Sequence, residues 1–199
     1  MGLVRPLVHV RRLVMLIRLE PYEFERARQI GIERHHAGKA RGYQHQDYAL
    51  AWQRSNSAEM MDPPELANVN GALTEIAVAK LLGVYWHGHG GALDRNRRYR
   101  IDSDLGGPNP IEVRHVLKRD HGPLLRDHDV RADQPNRELW AGHVMGSNVF
   151  ILGGVNILSA WDLSEVCSGC RHYDDQAGER RRICQSHLSI PDSQGRNQQ

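Results

Sequence analysis

The sequence predicts an α/β chain of the α+β type, with helices packed on a small mixed sheet and a small C-terminal zinc-binding appendage. Three observations predict it. Leu66, Val69, Leu73, Ile76 and Ala77 recur at helical spacing within 63–82. Between Arg137 and Ile157, two strand-like runs flank Gly146-Ser147, a hairpin signal. All three cysteines fall in the last quarter of the chain, in two close pairs completed by His187. Strands that follow two helices imply layers around one sheet.

The whole chain bounds these elements. Its 199 residues suit one domain of ordinary size with a small appendage. A hydrophobic share of 40% can build a core, while 25% charged residues argue against a membrane protein. No run approaches the roughly 18 apolar residues of a spanning helix. A formal charge of +2 does not announce nucleic acid, so local clustering has to. Three cysteines suit a metal site in a reducing compartment better than a disulfide scaffold. The expected location is the cytoplasm.

Residues 1–18 form a basic, apolar arm without the small-residue cleavage site of a signal peptide, and Met15 stands equal to Met1 as a start. Pro21 to about Ala40 reads as a helix, with Pro in its first turn and Glu23 and Glu25 near its positive end. Its Arg26, Arg28 and Arg34 suit a solvated face or DNA-backbone contact. Residues 42–61 read as a loop with short helix. Pro63 to Leu82 is a helix ended by Gly83, and Glu75 lies opposite its apolar stripe beside Ala72 and Ala79. Periodicity alone makes Glu75 a surface residue, although small neighbours would admit a closely packed element. His87 and His89 sit in a Gly-rich stretch that reads as a loop rather than a metal site. Arg95, Arg97, Arg98 and Arg100 surround Tyr99, a pattern that fits either a solvated loop or phosphate contact with base stacking.

Arg100 to Lys118, RIDSDLGGPNPIEVRHVLK, reads as two short strands around a Gly/Pro turn. Ile111, Val113 and His115 share one face of the second strand; Glu112 and Arg114 share the other. In the simplest register Leu105 opposes Ile111, Asp104 opposes Glu112 and Asp102 opposes Arg114. Opposed carboxylates repel unless both are exposed or a cation lies between them. Hard oxygen ligands suit Mg²⁺ or Mn²⁺.

Asp104, the turn, and then Glu112-Val113-Arg114 resemble the active-site hairpin of the PD-(D/E)XK nuclease superfamily. Glu75 in GALTEIAVAKLLGVYW matches the Glu on the preceding helix of that pattern. PYEFERARQIGIER, DLGGPNPIEVRHV and LLRDHD further resemble a group of small bacteriophage proteins carrying this core. The resemblance covers roughly Leu19 to Leu163. It implies a restriction-endonuclease-like fold, with Asp104 and Glu112 holding the main ion and Glu75 a second ion or its water. Arg114 stands where the superfamily usually has Lys. A guanidinium can stabilise phosphate charge, but it stays protonated and is no general base.

Downstream, Lys118 and Arg119 add cations, and Pro123 to Arg126 reads as a strand; in the resembling phage proteins its equivalent lies beside the Glu-x-basic strand. Trp161 and Leu163 close the core domain, set at 19–163. Residues 164–199 carry Cys167-x2-Cys170-x13-Cys184-x2-His187, which either wraps one tetrahedral, structural Zn²⁺ or belongs to a disordered tail. Arg180, Arg181 and Arg182 beside it suit phosphate. The leading expectation is a metal-dependent nuclease acting on DNA, of phage or mobile-element type, in a bacterial host cell. Its catalytic residues are Glu75, Asp104, Glu112 and Arg114. Arg95, Arg97, Arg98, Arg100, Lys118 and Arg119 contact nucleic acid, and a homodimer is compatible with the sequence. Two other readings are a catalytically inactive nucleic-acid-binding protein with this fold, and an adaptor whose carboxylates form ordinary salt bridges.

Overall fold

The computed structural model describes residues 14–40, 63–88, 103–105, 109–130, 133–175 and 178–190. The alternation in 137–157 becomes a hairpin. Strand β4 (Glu138–Met145) and strand β5 (Asn148–Asn156) pair antiparallel around Gly146, which takes φ 61°. The register slips between Ala141 and Gly142. Val149 and Ile151 are fully buried on one face of this pair.

Strand β1 (Met15–Arg18) pairs antiparallel with β5, so the end of the expected arm is a sheet strand. The Leu19 N–H continues the tie by donating to Ser147 O at 2.9 Å. On the other side, strand β2 (Ile111–His115) runs parallel to β4. The sheet order is β1-β5-β4-β2, a mixed sheet as expected.

Helix α1 (Pro21–Ala40) and helix α2 (Pro63–Leu82) have the bounds that the sequence predicts. Gly83 ends α2 at φ 66°. Thr74 of α2 packs on Gly142 of β4, where an added Cβ would lie 2.8 Å from the Thr74 methyl. The opposite flank of α2 receives α1. A Cβ on Gly31 would stand 2.4 Å from Val69 Cα, so the helix backbones meet where only glycine fits. Buried on both flanks, α2 is a central helix and not a half-solvated one. Leu73, Ala77, Val78, Ile30 and Val113 form one core around it.

A second sheet holds strands β3 (Leu124–Arg126), β6 (Arg171–Asp175) and β7 (Gly178–Arg182), in the order β3-β7-β6. The strand expected at 123–126 therefore exists, but its neighbour is β7; the strand beside β2 is β4. Ile183 is fully buried with Leu125, Leu139 and Ile157, and this apolar cluster holds β3 against the cysteine-bearing end. Helix α3 (Ile157–Val166) is capped by Asn156, whose Oδ1 accepts from the Ser159 N–H at 3.0 Å. The boundary placed after Leu163 falls inside α3. Among the described residues, no helix is long and apolar enough to cross a membrane.

Candidate active site and metal centre

The edge of the four-stranded sheet at β2 is where the predicted acids meet. Leu105 bridges Ile111 in the anticipated register, and the Asp104 N–H donates to Ile111 O at 2.8 Å. Among the described residues this arm makes no longer ladder. Asp104 instead turns its side chain along the edge, and its Oδ2 accepts from the Val113 N–H at 2.7 Å. A carboxylate thus takes the place of a strand partner. The anticipated Asp102–Arg114 pair lies outside the described residues.

Glu75 points inward, and its side chain is only 5% exposed. Burying a lone carboxylate is costly, so partners are required. Arg34 of α1 supplies them as a two-toothed pair, at 2.5 Å to Oε1 and 2.8 Å to Oε2. The Trp86 indole N–H adds a bond to Oε2 at 2.9 Å. Trp86 also bridges Leu105, so one residue ties the helix acid to the Asp104 arm.

Glu112 projects from the face of β2 opposite Ile111 and Val113. It accepts from Arg137 through Oε1 and from Arg114, at 3.0 Å, through Oε2. Arg114 Nη1 also stands 3.9 Å from Asp104 Oδ2, and its Nη2 donates to Asp129 Oδ1 at 2.9 Å. Asp129 lies in a 3₁₀ turn (Asp127–Asp129) directly after β3. Among the described residues, the cluster therefore sets four carboxylates, Glu75, Asp104, Glu112 and Asp129, against three guanidiniums, Arg34, Arg114 and Arg137.

That imbalance bears on Asp104. Burial pushes its carboxyl well above the ordinary range, and the charges of Glu75 and Glu112 push it further; Arg114 and the Val113 N–H only partly oppose them. For Arg114, burial alone would disfavour the charge, but Asp129, Glu112 and Asp104 outweigh it and raise its pKa. His115 takes no part. It stacks on His143 with ring centroids 6.0 Å apart, and burial with that neighbour drives it down to about 4.

The structure thus brings together Glu75, Asp104, Glu112 and Arg114. Sequence reasoning did not assign roles to Trp86, Asp129 or Arg137, and it gave Arg34 to a solvated face or to DNA-backbone contact, where the structure pairs it with the buried Glu75. Arg34 and Asp129 lie within the nuclease-like stretches PYEFERARQIGIER and LLRDHD, which was the available signal. Arg95, Arg97, Arg98 and Arg100 lie outside the described residues. Lys118 is exposed, and the Arg119 guanidinium lies over the Phe150 ring at 4.1 Å.

The Cys/His end forms a second centre. The ligand atoms of Cys167, Cys170, Cys184 and His187 all lie within 4.8 Å of one another. Two tight turns shape it: the Cys170 N–H donates to Cys167 O at 3.1 Å, and the His187 N–H to Cys184 O at 3.0 Å. The Cys184 N–H donates to Cys170 Sγ at 3.2 Å, as a thiolate acceptor favours. A Cβ on Gly169 would stand 2.5 Å from Cys184 Sγ, so glycine is needed for the sulfurs to converge. His187 Nε2 is buried with no hydrogen-bond partner among the described residues, and a metal would satisfy it. The His187 imidazole draws the Cys167 thiol down to about 6, while burial and the neighbouring sulfurs push Cys184 up to about 12. Three thiols and an imidazole at this spacing can hold a metal such as zinc.

Arg180, Arg181 and Arg182 do not act as one patch. Arg181 turns inward: its guanidinium lies over the Trp161 ring at 3.8 Å and donates to Glu165 at 2.9 Å and to Glu179 at 2.7 Å. The fold and the two centres define the class: a mixed α+β protein with a buried Asp/Glu–Arg cluster and a Cys₃His centre able to bind metal. No protein-family model, curated protein or solved structure matches the chain.

Proposed function

We propose that this chain is a metal-dependent nuclease that hydrolyses phosphodiester bonds in DNA. One observation carries the reading: Glu75, far away in sequence, is buried within electrostatic reach of Asp104. Glu112 reaches the same carboxyl from the neighbouring strand. A surface glutamate would have no reason to be there. Three carboxylates from a helix, a short arm and a strand make a donor set chemically suited to Mg²⁺ or Mn²⁺. Asp104 Oδ1 makes no hydrogen bond among the described residues and is the open oxygen of the set. Asp104 and Glu112 would hold the ion and Glu75 would orient its water; a bound ion would supply Lewis acidity.

The chain's own residues supply the rest. Arg114, clamped by Asp129 and Glu112, presents a fixed positive charge for phosphate oxygens. Among the described residues no lysine accompanies it, so proton removal falls to a carboxylate or to bulk water. The Cys₃His centre, with four protein ligands, is closed and structural.

A second reading has its own observation. Both oxygens of Glu75 and both of Glu112 already accept from arginines. A cluster neutralised in this way also suits a protein that binds nucleic acid without cutting it. Plasmid nicking with Mg²⁺ or Mn²⁺ separates the two. Under the nuclease reading the wild type nicks, while Asp104→Asn and Glu112→Gln lose at least about 100-fold, on the scale of losing one charge-stabilising group. Absence of cleavage of single- or double-stranded DNA and RNA in either metal would rule out the enzyme.

A further inference from the structure

Arg114 stands among three carboxylates, Glu112, Asp129 and Asp104, and bonds only two of them. Nη1 donates to Glu112 Oε2 at 3.0 Å, and Nη2 donates to Asp129 Oδ1 at 2.9 Å. Asp104 Oδ2 stays 3.9 Å from Nη1, beyond hydrogen-bond reach. Opposite charges that close attract strongly where water is scarce. Glu112 does not hold the fork away, because it bonds the same nitrogen that faces Asp104. Arg34 also feels the Asp104 charge, but both of its Nη atoms are bonded to Glu75. Among the described residues, Asp129 alone bonds the other end of the Arg114 fork.

Asp129 is well placed for that hold. Its side chain is only 4% exposed, so its charge is little screened. Its second oxygen accepts from the Arg126 N–H at 3.0 Å, which fixes the carboxylate to its own turn. That turn follows β3, and β3 is bonded to β7 rather than to β2. Asp129 therefore stands on the second sheet and pulls on a residue of the first. His128 Nε2 lies 3.8 Å from the same Oδ1, on an exposed ring, too far to compete for it. Arg114 has room to turn. Its Nε is buried without a hydrogen-bond partner among the described residues, so a shift of the fork breaks no bond there.

We infer that Asp129 is a positioning residue: by holding Nη2 it keeps the Arg114 guanidinium from closing on Asp104, and so leaves Asp104 free to take a divalent ion. The ion's place rests on the metal-dependent function proposed above; the restraint on Arg114 does not. Without the Asp129 charge, Nη1 would move onto Asp104. A fixed cation would then sit where Mg²⁺ or Mn²⁺ is expected, and the arginine would neutralise the acid it stands beside. A guanidinium pairs readily with two carboxylates at once, so its choice among three is set by where the protein anchors them.

The test is a double-mutant cycle on Mn²⁺ affinity, read by isothermal titration calorimetry on zinc-loaded full-length protein. Asp129→Asn should weaken Mn²⁺ binding at least about tenfold, the usual scale for a residue behind a metal ligand. In an Arg114→Gln background the same change should have no effect, because the guanidinium that Asp129 restrains is gone. An equal loss in both backgrounds means that Asp129 acts through its own charge, and overturns the inference. So does an Asp129→Asn protein that binds Mn²⁺ like the wild type. Asp127→Asn removes the same charge from the same turn, where the side chain is half exposed, and should change little. Circular dichroism checks each fold. If Asp129→Asn alone does not fold, Arg114→Gln is compared with the double variant: equal affinity is expected, and a gap of about tenfold overturns the inference. A crystal structure of metal-free Asp129→Asn gives a readout without the ion. Arg114 Nη1 should lie within hydrogen-bond distance of Asp104, and an Arg114 still held off it overturns the restraint. A wild type that neither binds Mn²⁺ nor nicks DNA removes the nuclease and the place for the ion, while the metal-free structure still decides what Asp129 does to Arg114.

Discussion

Asp104 concentrates the chemistry of the acid cluster in one carboxyl. Its pKa is raised above the ordinary 3.8, chiefly by burial and then by Glu75 and Glu112. Between 3.8 and that raised value, the folded chain keeps a proton that the unfolded chain has released. Stability therefore falls as pH rises through that window. Above it, the wild type carries an ionisation cost that asparagine does not, while asparagine can still accept from the Val113 N–H. Asp104→Asn should melt higher than wild type at pH 7 without divalent metal, by about 2–4 °C per kcal/mol recovered. The difference should vanish near pH 4. Thermal melts at both pH values check this, and a lower melting point at pH 7 would mean that Arg114 holds Asp104 ionised. Added Mn²⁺ should stabilise the wild type and not the variant, because only a carboxylate offers the ion its charge.

At the scale of elements, the contact of α1 with α2 positions Glu75. Arg34 reaches Glu75 only because Gly31 lets the two backbones close on each other. Gly31→Ala would put a methyl group 2.4 Å from Val69 Cα. Such overpacking costs roughly 1–3 kcal/mol, and more when backbone is the obstacle. Denaturant melts should show that loss and, with it, any nicking activity should fall. Gly71→Ala is the control: its Cβ would meet nothing within 4 Å, and alanine favours helix. The helices themselves were legible, because proline starts, apolar spacing and Gly83 are local signals. The orientation of Glu75 was not. Its stripe suggested a surface residue, and only the arrival of α1 on that flank turned it into a buried one.

At the scale of the whole molecule, the Cys₃His centre is not a loose end. The Ile183 N–H donates to Pro123 O, and Ser189 and Gly154 exchange backbone bonds at 2.8 and 2.9 Å. Gln185 reaches back to Arg119 O and His121 O. Removing the metal should loosen β7, then β3, then the 3₁₀ turn that carries Asp129. Metal analysis of the purified chain should give one zinc per chain, lost in Cys167→Ser and in Cys184→Ser. Chelation should lower the melting temperature by on the order of 10 °C, since structural zinc contributes several kcal/mol. Zinc retained by both variants would exclude this ligand set.

The Cys/His cluster could be read from the sequence because its pattern is short-range: two turns of four residues can each be judged alone. The same holds for both long helices, the Gly146 hairpin and the Leu105–Ile111 register. Strand β1 hid among the arginines of a basic stretch, and the β6–β7 hairpin is too polar to announce a strand. Tertiary structure alone decided that Arg34 and Arg137 neutralise the acids, that β3 joins β7 rather than β2, and that Arg181 turns inward onto Trp161. Those outcomes depend on residues tens of positions apart meeting in space. A buried charge takes whichever opposite charge the packing brings to it, and no local spacing encodes that choice.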